Sequence, residues 1–175
     1  VMQFVSGMGG TSSDIPTSGQ VDSSGNSYVA GLFQGTADFD PGAGTTNLTS
    51  AGANDIFIAK YDSSGALVWA KGVGGTSNDS NAALQIDSSG NSYVTGSFRD
   101  TADFDPDAGT ANLTSAGSYD SFIAKYDSSG ALVWAKGVGG TGTDIGHAIQ
   151  VDSSGNSYVT GYFSGTADFD PGVGT

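Results

Sequence analysis

Three observations predict an all-β fold built from tandem four-stranded antiparallel units. One pattern recurs with a period of 65 residues, helix-favouring residues are scarce, and short apolar runs alternate with Asp-x-x-Gly turns. The segment Val21-Asp22-Ser23-Ser24-Gly25-Asn26-Ser27-Tyr28-Val29 returns at Ile86 and again at Val151. Residues 21–85 and 86–150 differ at 16 of 65 aligned positions. Residues 151–175 begin another copy. Residues 1–20 end a preceding one, with Phe4 where Trp69 and Trp134 stand. The 175 residues thus hold about 2.7 repeats, divided as 1–20, 21–85, 86–150 and 151–175.

The elements of one unit follow in order. A first strand is expected over Ala83-Leu84-Gln85-Ile86, and the turn Asp87-Ser88-Ser89-Gly90-Asn91 leads to a second over Ser92 to Phe98. A long loop carries Asp103-Phe104-Asp105-Pro106. The third strand is Phe122 to Tyr126, the turn Asp127-Ser128-Ser129-Gly130 follows, and the fourth is Ala131 to Lys136. Gly137 to Thr141 reads as a turn between blades. Asp caps each Asp-x-x-Gly hairpin and Gly takes the positive φ.

Copies within the chain test the second strand. Ala30, Thr95 and Thr160 vary, as do Leu32, Ser97 and Tyr162, while Val29/Val94/Val159 and Phe33/Phe98/Phe163 stay constant. Variation with period two predicts a buried Val/Phe face and an opposite face turned to solvent or an interface. The segment before the first strand varies most, Ser77 to Ala82 in one copy and Gly142 to His147 in the next. Varied loops on a fixed frame are where binding specificity concentrates.

Charge narrows the partners. All 18 acidic residues are Asp, and Lys60, Lys71, Arg99, Lys125 and Lys136 are the only bases, giving a net charge of −13. Nucleic acid and anionic membrane surfaces would be repelled. No apolar run is long enough for a membrane span. Cysteine is absent, so disulfide and thiolate chemistry is excluded.

Three motifs carry a resemblance. Asp87 to Gly96, Asp120 to Gly130 and Leu132 to Thr141, with their equivalents one period earlier, resemble the bacterial β-propeller repeats called SBBP repeats. The resemblance implies four-stranded, β-propeller-like blades in secreted or surface proteins of bacteria, with no catalytic residues. A closed propeller takes 4–8 blades. An open array, an oligomeric ring and a fibre therefore all remain as expectations, and self-association, head-to-tail or in a ring, is expected of unpaired sheet edges.

The Asp-rich loop is the leading chemical candidate. Asp38 and Asp40, Asp103, Asp105 and Asp107, and Asp168 and Asp170 alternate with other residues near Gly, a pattern that gathers hard oxygen ligands around calcium. The competing reading is capping of an Asp-Pro-Gly turn. Trp69 and Trp134 read as core rather than as sugar-stacking platforms, and the lysines as partners of nearby Asp. His147 is the single histidine and has no marked nucleophile, so no catalytic residues are expected. Asn47, Asn78 and Asn112 match the N-glycosylation pattern. The expected function is a non-enzymatic structural or adhesive module of a bacterial extracellular or surface protein, filament-forming and calcium-stabilised. The alternative is a carbohydrate-binding, lectin-like propeller.

Overall fold

The computed structural model describes residues 7–170 and Gly172, with backbone alone for 81 and 82. The described residues form sixteen strands. In chain order these are β1 (Gly9–Gly10), β2 (Ile15–Val21), β3 (Ser27–Phe33), β4 (Thr36–Asp38), β5 (Asn47–Thr49), β6 (Asp55–Tyr61), β7 (Leu67–Gly75) and β8 (Ser80–Ile86). They continue with β9 (Ser92–Phe98), β10 (Thr101–Asp103), β11 (Asn112–Thr114), β12 (Asp120–Tyr126), β13 (Leu132–Gly140), β14 (Ile145–Val151), β15 (Ser157–Tyr162) and β16 (Ala167–Asp168).

The first full blade is the antiparallel meander β2-β3-β6-β7, and the second is β8-β9-β12-β13. The third contributes β14 and β15. The expected four strands are present, with two physical corrections. The fourth strand does not stop at Lys136: it runs through Gly-Val-Gly-Gly to Gly140, and its counterpart to Gly75. The long loop is not structureless either, since it holds the short hairpin β10-β11, matched by β4-β5 one period earlier. That hairpin pairs backwards. Ala102 and Asp103 face Gly75 and Gly74 of the preceding blade, as Ala167 and Asp168 face Gly140 and Gly139. Glycine makes this approach feasible, because a Cβ on Gly75 would sit 2.1 Å from the Thr101 carbonyl oxygen. The repeat boundary at Val21 and Ile86 also falls at the end of a first strand. Each blade therefore draws that strand from the tail of the preceding sequence unit.

The hairpin turns explain why the sequence folds this way locally. In the first, the Gly25 N–H donates to the Asp22 carbonyl at 3.0 Å, and Asp22 Oδ1 accepts from the N–H groups of Ser24 and Asn26, each at 2.9 Å. Gly25 has φ 83°, the left-handed conformation such a turn demands. Asp62, Asp87, Asp127 and Asp152 repeat the arrangement.

The core lies between blades. Val94, Phe98, Phe122, Ala124 and Tyr126 of the second blade pack on Tyr28, Ala30, Ile56 and Ile58 of the first. The Val/Phe face is buried at Phe33, Val94 and Phe98, whereas Val29 is half-buried and Phe163 of the third copy is 55% exposed. The varying face is the inter-blade interface: Ala30, Thr95 and Ser97 are fully buried, and the Thr95 hydroxyl donates to the Phe122 carbonyl at 2.6 Å. In the third copy Thr160 and Tyr162 are exposed. The side-chain difference between copies is thus absorbed by complementary packing rather than by solvent.

Candidate functional site

The first strands β2, β8 and β14 stand side by side, with the Leu84 N–H donating to the Ser18 hydroxyl at 3.1 Å. A groove of about 370 Å³ runs over them, and its polar wall includes Ser18, Gln20, Gln85, His147 and Gln150. Gln20, Gln85 and Gln150 are one repeat position, so the groove presents an amide once per blade. His147 is exposed, its ring 5.8 Å from that of Tyr162. Of the varying segments Ser77 to Ala82 and Gly142 to His147, His147 alone lines this groove among the described residues.

The Asp-rich loops sit away from the groove, at the hairpins that join blades. Asp38 Oδ1 accepts from the N–H groups of Asp40 at 3.0 Å and Thr46 at 2.8 Å, and Asp40 Oδ1 from Gly42 at 2.8 Å. Asp103 accepts from Asp105 and Ala111, and Asp105 from Asp107. Asp168 accepts from Asp170, and Asp170 from Gly172. These backbone donors hold the Asp38 carboxyl below its ordinary value. Asp107 spends its carboxylate on Lys71 of the preceding blade. Among the described residues no three His, Cys, Asp or Glu side chains gather into a metal-holding group. The loop carboxylates thus each accept backbone N–H groups of their own turn.

Between the two Asp residues, Phe39 and Phe104 are buried. The Tyr61 hydroxyl donates to the Phe39 carbonyl at 3.1 Å, and Tyr126 to Phe104 at 3.2 Å. Burial, with the nearby Asp40 and Asp38 charges, pushes the Tyr61 hydroxyl up to about 12. The same causes raise Tyr126. The motif thus locks the loop onto the third strand.

Trp69 and Trp134 are half-buried, edge-on to Tyr28 and Tyr93 at 6.3 Å. Trp69 packs on the inter-blade core, and its indole N–H donates to Ser128 of the next unit at 3.1 Å. Lys60 and Lys125 lie over the Tyr28 and Tyr93 rings at 5.0 and 4.9 Å.

A second set of carboxylates escaped sequence reasoning. Asp55 with Asp79, and Asp120 with Asp144, are buried at the two complete joints. Asp55 Oδ2 accepts from Ala51 N–H at 2.8 Å and Asp120 Oδ2 from Ala116 at 3.0 Å. Asp144 accepts from Gly140 at 2.8 Å and from Ser164 at 3.0 Å, so it ties a fourth strand to the next unit. The signal was present. Asp79 and Asp144 are constant where their neighbours Asn78/Thr143 and Ser80/Ile145 change.

A family model described as a beta-propeller repeat, SBBP, matches residues 133–169, which run from the fourth strand of the second blade to the joining hairpin of the third. An uncharacterized WD repeat-containing protein of Acanthamoeba polyphaga mimivirus is 31% identical over 179 residues, covering 88% of this chain and 13% of that protein. The regulatory protein FlaEY of Caulobacter vibrioides is 33% identical over 124 residues, covering 71% of this chain and 13% of that protein. The chain therefore spans about one eighth of the length of these relatives. One relative is viral and the other bacterial, so similarity does not assign the chain to bacteria. Residues 133–169 are thus similar to a β-propeller repeat of the SBBP type, and they lie in a chain that repeats itself with a 65-residue period.

Proposed function

We propose that this chain is a non-catalytic structural module of an extracellular or cell-surface protein, acting by presenting copies of one β unit in a ring or filament. The observation that supports this most is the repeated joint: an apolar interface between blades, sewn by a hairpin that pairs backwards onto the preceding fourth strand. A joint whose strand pairing recurs from unit to unit lets units add in series. At the second joint the next unit packs on the varying face of β9, where Thr95 and Ser97 are fully buried. Self-association through repeated joints follows from the reading, and the acidic surface keeps such an array soluble. Negative-stain micrographs with light scattering at micromolar concentration test it. Rings or filaments are the expected outcome, and a monodisperse monomer would remove the assembly role.

Calcium, expected of the Asp-rich loops, would act in this reading by stiffening the hairpins. An unchanged melting midpoint on adding EGTA removes it.

The groove over the first strands supports a second reading, binding of a carbohydrate through Gln20, Gln85, Gln150 and Ser18. Amides and hydroxyls match sugar hydroxyls as paired donors and acceptors. A glycan array separates the readings, since a pure scaffold gives no specific signal.

A further inference from the structure

We propose that the paired carboxylates at each blade joint, Asp55 with Asp79 and Asp120 with Asp144, form a binding site for a hard divalent cation, calcium foremost. Asp79 is 1% exposed and Asp55 4%. Neither Oδ1 nor Oδ2 of Asp79 has a hydrogen-bond partner, nor does Oδ1 of Asp55 or of Asp120. Asp79 lies against the backbone N–H groups of Gly75 and Arg99 without a well-aligned bond to either. Buried carboxylate oxygens left in this state are costly, and an ion or a proton must answer for them.

The two carboxyl groups of each pair meet at one glycine. A Cβ on Gly74 would lie 2.4 Å from Asp79 Oδ2 and 2.7 Å from Asp55 Cγ. On Gly139 it would lie 2.9 Å from both Asp120 Oδ1 and Asp144 Oδ2. The same arrangement occurs at both joints. The charge felt by Asp79 is that of Asp55, of like sign, and Asp120 feels Asp144. Burial first, and this repulsion second, push the Asp79 carboxyl up to about 8. Two carboxylates, completed by backbone carbonyls and water, are a donor set for a hard cation. A cation here would tie the third strand of one blade (Asp55) to the start of the next (Asp79), so binding and joint stability are linked.

Cation binding at the joints is independent of whether the array acts as a scaffold, and the variants separate it from the Asp-rich loops. Calorimetric titration of calcium chloride into the EGTA-stripped, dialysed 175-residue chain should give two ions per chain, with a melting midpoint raised by several degrees. Asp79→Asn keeps the side-chain shape and removes the repulsion. Its circular dichroism should match wild type, while it binds one ion per chain through the untouched joint. Asp40→Asn combined with Asp105→Asn should leave both ions bound. Absence of heat and of any midpoint shift at millimolar calcium overturns the proposal. So does loss of binding in the loop variant with Asp79→Asn unaffected. A midpoint that rises only on acidification and ignores calcium means a shared proton holds the pair, and equally overturns it.

Discussion

Single atoms decide how closely two units can meet. Gly75 stands where the next hairpin crosses, and Gly75→Ala would drive a methyl group into the Thr101 carbonyl. The expected cost is about 1–3 kcal/mol, the range of overpacking, read from urea unfolding at unchanged m. Tyr126→Phe would leave the buried Phe104 carbonyl without its donor. A loss of about 1–3 kcal/mol is expected, and Tyr61→Phe should behave alike. The turn aspartates set the acid limit of stability. Hydrogen bonds to the carboxylate from Ser64, Ser129 and Asn156 hold Asp62, Asp127 and Asp152 below their ordinary value of 3.8. For a group depressed on folding, the stabilisation is complete above the unfolded value and is lost as pH falls through the folded one. The melting midpoint should therefore drop steeply below about pH 4, and Asp127→Asn should flatten that drop in proportion to its share.

At the scale of elements, the joining hairpin is the part that the sequence concealed. The four long strands were legible because each combines β-branched or aromatic residues with an Asp-x-x-Gly turn whose chemistry is local. β10 and β11 have three residues each, and β10 pairs with β7 of the preceding unit, so no local pattern announces them. Gly-Val-Gly-Gly read as a turn for the same reason. Its strand conformation is imposed by the partner, not by propensity. The Asp-rich motif was found but its role was legible only in part. Spacing revealed alternating oxygens, yet only the fold shows that Phe39 and Phe104 are buried between them and that the oxygens face backbone donors. Leu113 packs under this hairpin against the inter-blade core. Leu113→Asp should cancel hydrogen-exchange protection over 101–103 and over 74–75 together, because the two segments share one ladder. Protection lost over 101–103 alone would contradict the pairing.

For the whole molecule, charge and repetition act together. Eighteen aspartates against five bases give a net charge of −13, and only Lys71–Asp107 and Arg99–Asp100 form ion pairs among the described residues. Self-repulsion therefore opposes compaction, and monovalent salt should raise the melting midpoint between about 10 mM and 150 mM ionic strength, where the Debye length shrinks from about 30 Å to 8 Å. A midpoint that falls with sodium chloride would mean that ion pairs outweigh repulsion. The period itself was fully legible, since copies that differ at 16 of 65 positions still announce themselves. The contact between copies was legible only as one face of the second strand, because sequence shows which residues are buried before it shows against what.

Each unit lends its first strand forwards and its hairpin backwards. No cut through the array therefore leaves two self-sufficient halves. A tandem duplication of any 65 consecutive residues, begun in any phase, still supplies one more complete blade with both of its seams. Genes built this way can lengthen or shorten by recombination without a privileged boundary, and the product changes in extent while its joints stay the same.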